Sequence, residues 1–439
     1  MKIMPNNITK NEKHINFNKT TTAIYSKPIS FYLFLIWSFI LIARPQDIFT
    51  KLSVLRPALL FGVISLISFV FQYSQFKNKK IFQSKQNKLF LLLISTMLLS
   101  IPFAFYRGGA FKFFTTVYLN AIVFYFLFFI IIDSLEKIET IIFLCCTATF
   151  LYSLSALRGG TSIGENRLIF GGMFDPNDLA YFIISFLPFN FIFIKKNVKL
   201  YKRLLCFSNI IIGIVVIFLT GSRGGFLALG TVSTFILMTK SEQFTKKTKL
   251  RIVILILISI PIIANKIDFT RLLTITDVNN DYNMYDETGR IQIWKRGLRL
   301  IYDHPFTGVG LSCFSEAIGE QRKKEGLIER WQAPHNVLIQ IGTETGIFGA
   351  LIYSLLCYNA FKIFIKVQKK FESASLITEL IKLGFIGNFV ASMFLSQAYS
   401  IYFVLFISLS ACLMVLDSKT MQLHRTTNAK PIKLGDSYV

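Results

Sequence analysis

The sequence predicts an all-α, polytopic membrane protein, and three observations carry that reading. The chain has 439 residues, 53% of them hydrophobic, and its mean hydropathy is +0.53. Apolar runs of about 17–25 residues, long enough to cross a bilayer, recur along it. The runs are continuous rather than alternating, which excludes a membrane β-barrel. Forty-six Phe, with many Ile and Leu, suit helices that face lipid.

About twelve spans are expected, near residues 28–43, 56–73, 88–105, 111–132, 138–157, 177–194, 204–220, 224–239, 250–265, 335–366, 376–395 and 398–416. The first 30 or so residues are polar, so no cleavable signal peptide is expected and the first span anchors the chain. The net charge of +24 could suggest a nucleic-acid binder. The placement of the Lys argues instead for a membrane protein and no nucleic acid. Lys77, Lys79, Lys80, Lys85 and Lys88 fill one short loop, Lys195, Lys196, Lys199, Lys202 and Arg203 another. Lys240, Lys246, Lys247, Lys249 and Arg251 fill a third, and Lys366, Lys369 and Lys370 a fourth. Counting spans alternately puts all four on one side, which the positive-inside rule makes cytoplasmic. Both termini then lie in the cytoplasm.

The expected organisation is a cytoplasmic tail (1–27), nine spans (28–265), a large outer loop (266–334), three spans (335–416) and a second cytoplasmic tail (417–439). Within the outer loop, ten basic residues meet ten acidic ones. "GRIQIWKRGLRLIYDH" has helical spacing there, with Ile291, Trp294, Leu298 and Ile301 on one face of an amphipathic helix. Pro305, Gly308 and Gly310 then turn the chain. Five of the six Cys lie in apolar runs and only Cys313 in a polar loop, so neither a disulfide framework nor a zinc spacing is present. No internal repeat of the kind many transporters carry is visible.

Chemistry is expected where inward-running helices begin at the outer face. A helix start presents free N–H groups and the positive end of its dipole. Three starts carry unusual residues: Asp175, Pro176 and Asn177 open the sixth span, Ser222, Arg223, Gly224 and Gly225 the eighth, and His335 and Asn336 the tenth. Helix starts with glycines can bind phosphate, because the backbone approaches closely. The planar fork of Arg suits phosphate oxygens. Plainer readings stand beside these: a snorkelling Arg223, glycines for helix packing, caps at Asp175 and Asn177, and an interface or capping role for His335. The tenth element is also too long. From His335 to Lys366 is about 46 Å of helix at 1.5 Å per residue, against a hydrocarbon core about 30 Å thick. Either His335 stands above the lipid core or the helix breaks near Gly346–Gly349.

Taken together, these residues resemble the O-antigen ligase family, which includes O-antigen polymerases. Arg223 to Leu227 in "RGGFL" is similar to the family's Arg-x3-Leu element. His335, Asn336, Gly346 and Gly349 match its His-[Asn/Ser/Gln]-x9-Gly-x2-Gly element. The stretch from Arg290 through Trp294 to "HPFTGVG" and the segment "MFDPNDLA" resemble further family segments, and the likeness covers about 160–350. "ARPQDIF" also has a familiar look. The resemblance implies a GT-C-like fold in the inner membrane and a periplasmic active site. It implies transfer of a glycan from undecaprenyl pyrophosphate to an acceptor, either a lipid A-core sugar or another lipid-linked glycan. The apolar spans would groove the polyprenyl chain among membrane lipid. Under that reading Arg223 and then Arg290 hold the pyrophosphate, with Ser222, Gly224, Gly225, Asn177 and Asn336 lining the substrate. His335 is the base for the acceptor hydroxyl, or a ligand of the pyrophosphate. Inversion is expected, with no cofactor and no metal. A transporter or flippase for lipid-linked oligosaccharide is the rival reading; it would more naturally show repeat symmetry and ionisable residues at mid-membrane.

Overall fold

The computed structural model describes residues 28–76, 81–163, 167–172, 175–194, 197–239, 244–247, 249–250, 253–254 and 289–427. The tail 1–27, almost all of the ninth expected span, loop residues 266–288 with Asp286 and Glu287, and residues 428–439 lie outside the described residues. So do Lys77, Lys79, Lys80, Lys195, Lys196, Lys240 and Arg251 of the basic loops.

Eleven of the expected spans are helical. They are α1 (Ile29–Ala43), α2 (Pro57–Phe71), α3 (Lys85–Ser100), α4 (Arg107–Ile131), α5 (Leu135–Gly159), α6 (Pro176–Phe186), α7 (Leu200–Leu219) and α8 (Arg223–Met238). After α9 (Arg290–Asp303) and α10 (Phe314–Lys324) come α11 (Val337–Lys370), α12 (Glu372–Ser392) and α13 (Ile401–Thr427). Six of these helical segments, including α3 with its 3₁₀ extension to Phe103, are long and apolar enough to cross a bilayer. The segments α1, α2, α8 and Ile401–Leu416 are apolar but shorter. A small antiparallel hairpin, β1 (Thr161–Ile163) and β2 (Arg167–Ile169), joins α5 to α6.

Helix α12 sits centrally: it packs on α6, α8 and α11, while α11 also touches α3, α9 and α13. Hydrocarbon offers no water to satisfy a backbone, so each break in a spanning helix must find partners inside the protein. The sharpest break lies in α11. Gly346 has φ 74° and ψ −178° in mid-helix, a region that essentially only glycine enters. The freed groups are taken by a run of chain, residues 305–310, that follows α9. The carbonyls of Thr343 and Glu344 accept from Val309 and Gly310 N–H at 2.8 and 3.1 Å, and Ile347 N–H donates to Pro305 at 2.8 Å. Of the two outcomes the excess length allowed, α11 takes the break. The helix beyond it, 347–370, measures about 36 Å, which suits one crossing of the bilayer.

The segment between α9 and α11 is fastened elsewhere too. Ser312 N–H and the Tyr399 hydroxyl both donate to the buried Glu344 carboxylate. Helix α9 lies on the start of α11, with Thr343 Oγ1 donating to the Gly297 carbonyl at 3.1 Å. Its buried face is Ile293, Gly297 and Leu300, with Trp294 and Ile301 half-buried. Leu298, expected on that face, is 58% exposed. Hydropathy spacing could not weigh Gly297, whose missing side chain makes room for Ile339 and sets the contact line one residue earlier. Cys313, expected in a polar loop, is buried and its Sγ faces the Tyr106 carbonyl.

Candidate functional site

Three helix starts meet at one end of the bundle, and each is capped by a residue singled out from sequence. The Asp175 carboxylate accepts from Asn177 N and Nδ2 at 2.8 and 2.7 Å at the head of α6. Ser222 Oγ accepts from Gly225 N at 3.0 Å at the head of α8. Asn336 Oδ1 accepts from Leu338 and Ile339 N at 3.0 and 3.1 Å at the head of α11. Each oxygen satisfies amides that have no partner within their own helix.

The link between α12 and α13, residues 393–400, binds two of these starts together. Asn336 Nδ2 donates to the Met393 carbonyl at 3.2 Å, and His335 N–H donates to Ser396 Oγ at 3.1 Å. On the α8 side, a Cβ on Gly224 would stand 3.0 Å from Phe394. A Cβ on Gly225 would come within 2.7 Å of Ala180 on α6. Both glycines thus let α8 seat closely, which holds the neighbouring Arg223 beside the same link as His335. Arg223 is half-buried. Arg290 opens α9, whose Trp294 Nε1 donates to the carbonyl of Pro334 at 3.0 Å, next to His335.

Sequence reasoning missed Arg167. It stands on β2, donating Nε to the Thr220 carbonyl at 3.0 Å and Nη2 to Asn177 Oδ1 at 3.1 Å. It therefore ties the head of α6 to the turn that leads into Ser222 and Arg223. Nothing in hydropathy or helix periodicity marks an arginine in a three-residue strand.

His335 is a backbone outlier, with φ 46°. Non-glycine residues in the left-handed region carry strain that surrounding structure must hold, and they gather at functional sites. Burial pushes the imidazole pKa below its ordinary 6.5, the nearby Arg290 guanidinium pushes it further down, and Asp175 opposes both. A ring so placed is neutral at pH 7 and can accept a proton. The unfolded chain, by contrast, takes up that proton near 6.5. Stability from this site is therefore complete above pH 6.5 and declines as pH falls below it. Arg290→Gln is expected to raise the His335 pKa towards 6.5. Histidine-labelled NMR on protein with His14, His304 and His424 replaced would read it, and an unmoved or lowered titration would contradict the Arg290–His335 proximity.

Residues 208–354 match the model of the family described as O-antigen ligase. That segment is similar to the O-antigen ligase family. It runs from within α7 into α11 and contains Ser222, Arg223, Gly224, Gly225, Arg290, His335 and Asn336. Arg167 and Asn177 lie before it, and Arg167 bonds to it through the Thr220 carbonyl. No curated protein matches the chain. The match of 208–354 to the O-antigen ligase family supports a function of general ligase or polymerase type, and together with the apolar helices it fits a multi-pass membrane protein.

Proposed function

We propose that this protein transfers a glycan from undecaprenyl pyrophosphate to an acceptor sugar at the outer face of the inner membrane. What supports the reading is that Arg167 ties the head of α6 to the turn before Arg223, that Gly224 beside Arg223 and His335 both abut the 393–400 link, and that Arg290 lies near His335. In the step envisaged, the acceptor hydroxyl oxygen attacks the anomeric carbon from the face opposite the diphosphate. The carbon–oxygen bond to the diphosphate breaks, the anomeric centre inverts, and undecaprenyl pyrophosphate leaves with the bonding pair. His335, neutral at working pH, takes the hydroxyl proton; such base catalysis contributes roughly 10²–10⁴-fold. Arg223, with Arg290 and Arg167, faces the charge that grows on the leaving group, and preorganised cations at such a point are commonly the largest catalytic effect. Asn336, Ser222, Gly224, Gly225 and Asn177 act chiefly by fixing these groups. No metal or cofactor enters this scheme.

The test is purified protein in detergent, given carrier-linked glycan extracted from cells deleted for the gene, with and without lipid A-core from the same cells. Transfer in this gradient-free mixture is the expected result. Carrier-linked glycan that crosses the bilayer of proteoliposomes, with no transfer in either mixture, would instead identify a transporter. The glycolipids of the deletion strain separate the two enzyme types. Single capped repeats mark a lost polymerase, and free carrier-linked polymer beside bare core marks a lost ligase.

A further inference from the structure

Beside the arginine–histidine cluster lies a cavity of about 390 Å³ between α1, α4, α6 and the 393–400 link, a size in the usual range for small-ligand sites, roughly 300–1,000 Å³. Its polar lining includes Arg44, Asp178, Tyr181, Gln397 and Tyr402, and neither Arg223, Arg290 nor His335 reaches it. From these groups we infer that the cavity is a subsite for an uncharged sugar ring of one of the two substrates. The inference rests on the transfer reading above and names what binds next to it.

Charge decides against a phosphate occupant. Arg44 is already paired, Nε to Asp47 Oδ2 at 2.8 Å, and the Tyr152 hydroxyl donates to the same carboxylate at 3.0 Å. Asp178 adds a second carboxyl group to the lining. The cavity therefore carries no net positive charge, and a diphosphate would meet carboxylate oxygens. What remains is a mix of acceptors, amide donor and acceptor, and phenols, the inventory that pairs with ring hydroxyls. The Tyr181 hydroxyl is buried, with the Ser400 and Asn388 side chains close to it. Asp178 Oδ1 is held in place by Gln397 Nε2 at 2.8 Å. Tyr402 and Tyr399 also line it.

Two features show that the cavity is built into the fold. A π-helical turn, Phe114–Tyr118, interrupts α4 where Thr116 and Val117 line the cavity; such insertions in helices are frequent at functional sites. Arg44 is one of four non-glycine residues with positive φ among those described, in the company of His335. The cavity also adjoins the reaction centre by two single chain steps. Asn177 faces Arg167 while Asp178 faces the cavity, and Ser396 holds His335 while Gln397 holds Asp178.

The experiment compares Asp178→Asn and Asn120→Trp with Arg223→Ala in the detergent assay. Asn120 lines the cavity, and its amide donates to Thr116 of its own helix; a Trp there takes up space that a ligand would need. Carrier-linked glycan and lipid A-core from deletion cells are varied separately. Both cavity variants are expected to raise KM at least about 10-fold, with kcat within about 2-fold of the parent. That is the signature of lost binding rather than lost transition-state stabilisation. The substrate whose KM moves identifies the source of the sugar. Unchanged KM for both substrates, with Arg223→Ala inactive, would overturn the subsite and leave the transfer reading standing. A cavity variant that loses kcat as Arg223→Ala does would also overturn it, since the cavity would then belong to the reaction centre. Raised KM beside an active Arg223→Ala would keep the subsite and sink the assignment of Arg223.

Discussion

Arg223→Ala, expressed in cells lacking the native gene, is expected to reduce glycan transfer about 100- to 1,000-fold, the usual consequence of deleting one preorganised partner of developing charge. In the transfer proposed above, the bond that breaks leaves a diphosphate, so its charge must be met as it forms. Arg223 stands at the head of α8, where the helix dipole adds to the guanidinium. Its backbone is placed by neighbours: Ser222 caps the helix, and Gly224 and Gly225 seat it against Phe394 and Ala180. Removing the side chain leaves that frame intact, so the protein should insert at normal abundance. Arg223→Lys tests the fork: a compact ammonium keeps the charge but loses bidentate contact, and only partial recovery is expected. Glycan ladders on gels, with blots for protein level, make the measurement. Full-length glycan from Arg223→Ala would defeat the proposed role.

Gly346→Ala should abolish transfer by a different route. At φ 74° and ψ −178° an alanine is strained by about 1–3 kcal/mol. Its Cβ would also stand 2.6 Å from the Pro305 carbonyl oxygen, a distance that forces the 304–310 run away. The protein then either keeps a strained break or straightens α11. Straightening would carry His335 away from the 393–400 link and leave the Thr343 and Glu344 carbonyls without Val309 and Gly310. Thermal unfolding in detergent is expected to fall by about 5 °C or more, with activity lost even though no reacting group has changed. A variant with unaltered unfolding temperature and activity would show that the break is not required.

Much of the fold was legible because apolar runs of bilayer length have few alternatives to a helix. The excess length of α11 even offered its break as one of two outcomes. The heads of α6, α8 and α11 were legible as well, since caps, prolines and glycines stand out against an apolar background. What escaped notice has a common physical origin. Arg167 sits in a hairpin too short for periodicity to register. The 393–400 link was narrowed to a two-residue gap between spans, because Met393, Phe394, Leu395 and Ala398 smooth over Ser396, Gln397 and Ser400 in any hydropathy window. Arg44 lay in a stretch that looked familiar but offered no partner until the fold set Asp47 and Tyr152 beside it. Leu298 was misplaced because the contact line of α9 follows Gly297, whose effect is an absence of atoms.

The run from Pro305 to Gly310 has a kinetic side. Lifting it off α11 gives up three main-chain hydrogen bonds, each worth about 0.5–1.5 kcal/mol net. The detached arrangement would then be populated by roughly one molecule in ten to one in two thousand, before any apolar contact is counted. The attached arrangement is therefore the dominant one, and the run belongs to the resting wall of the protein.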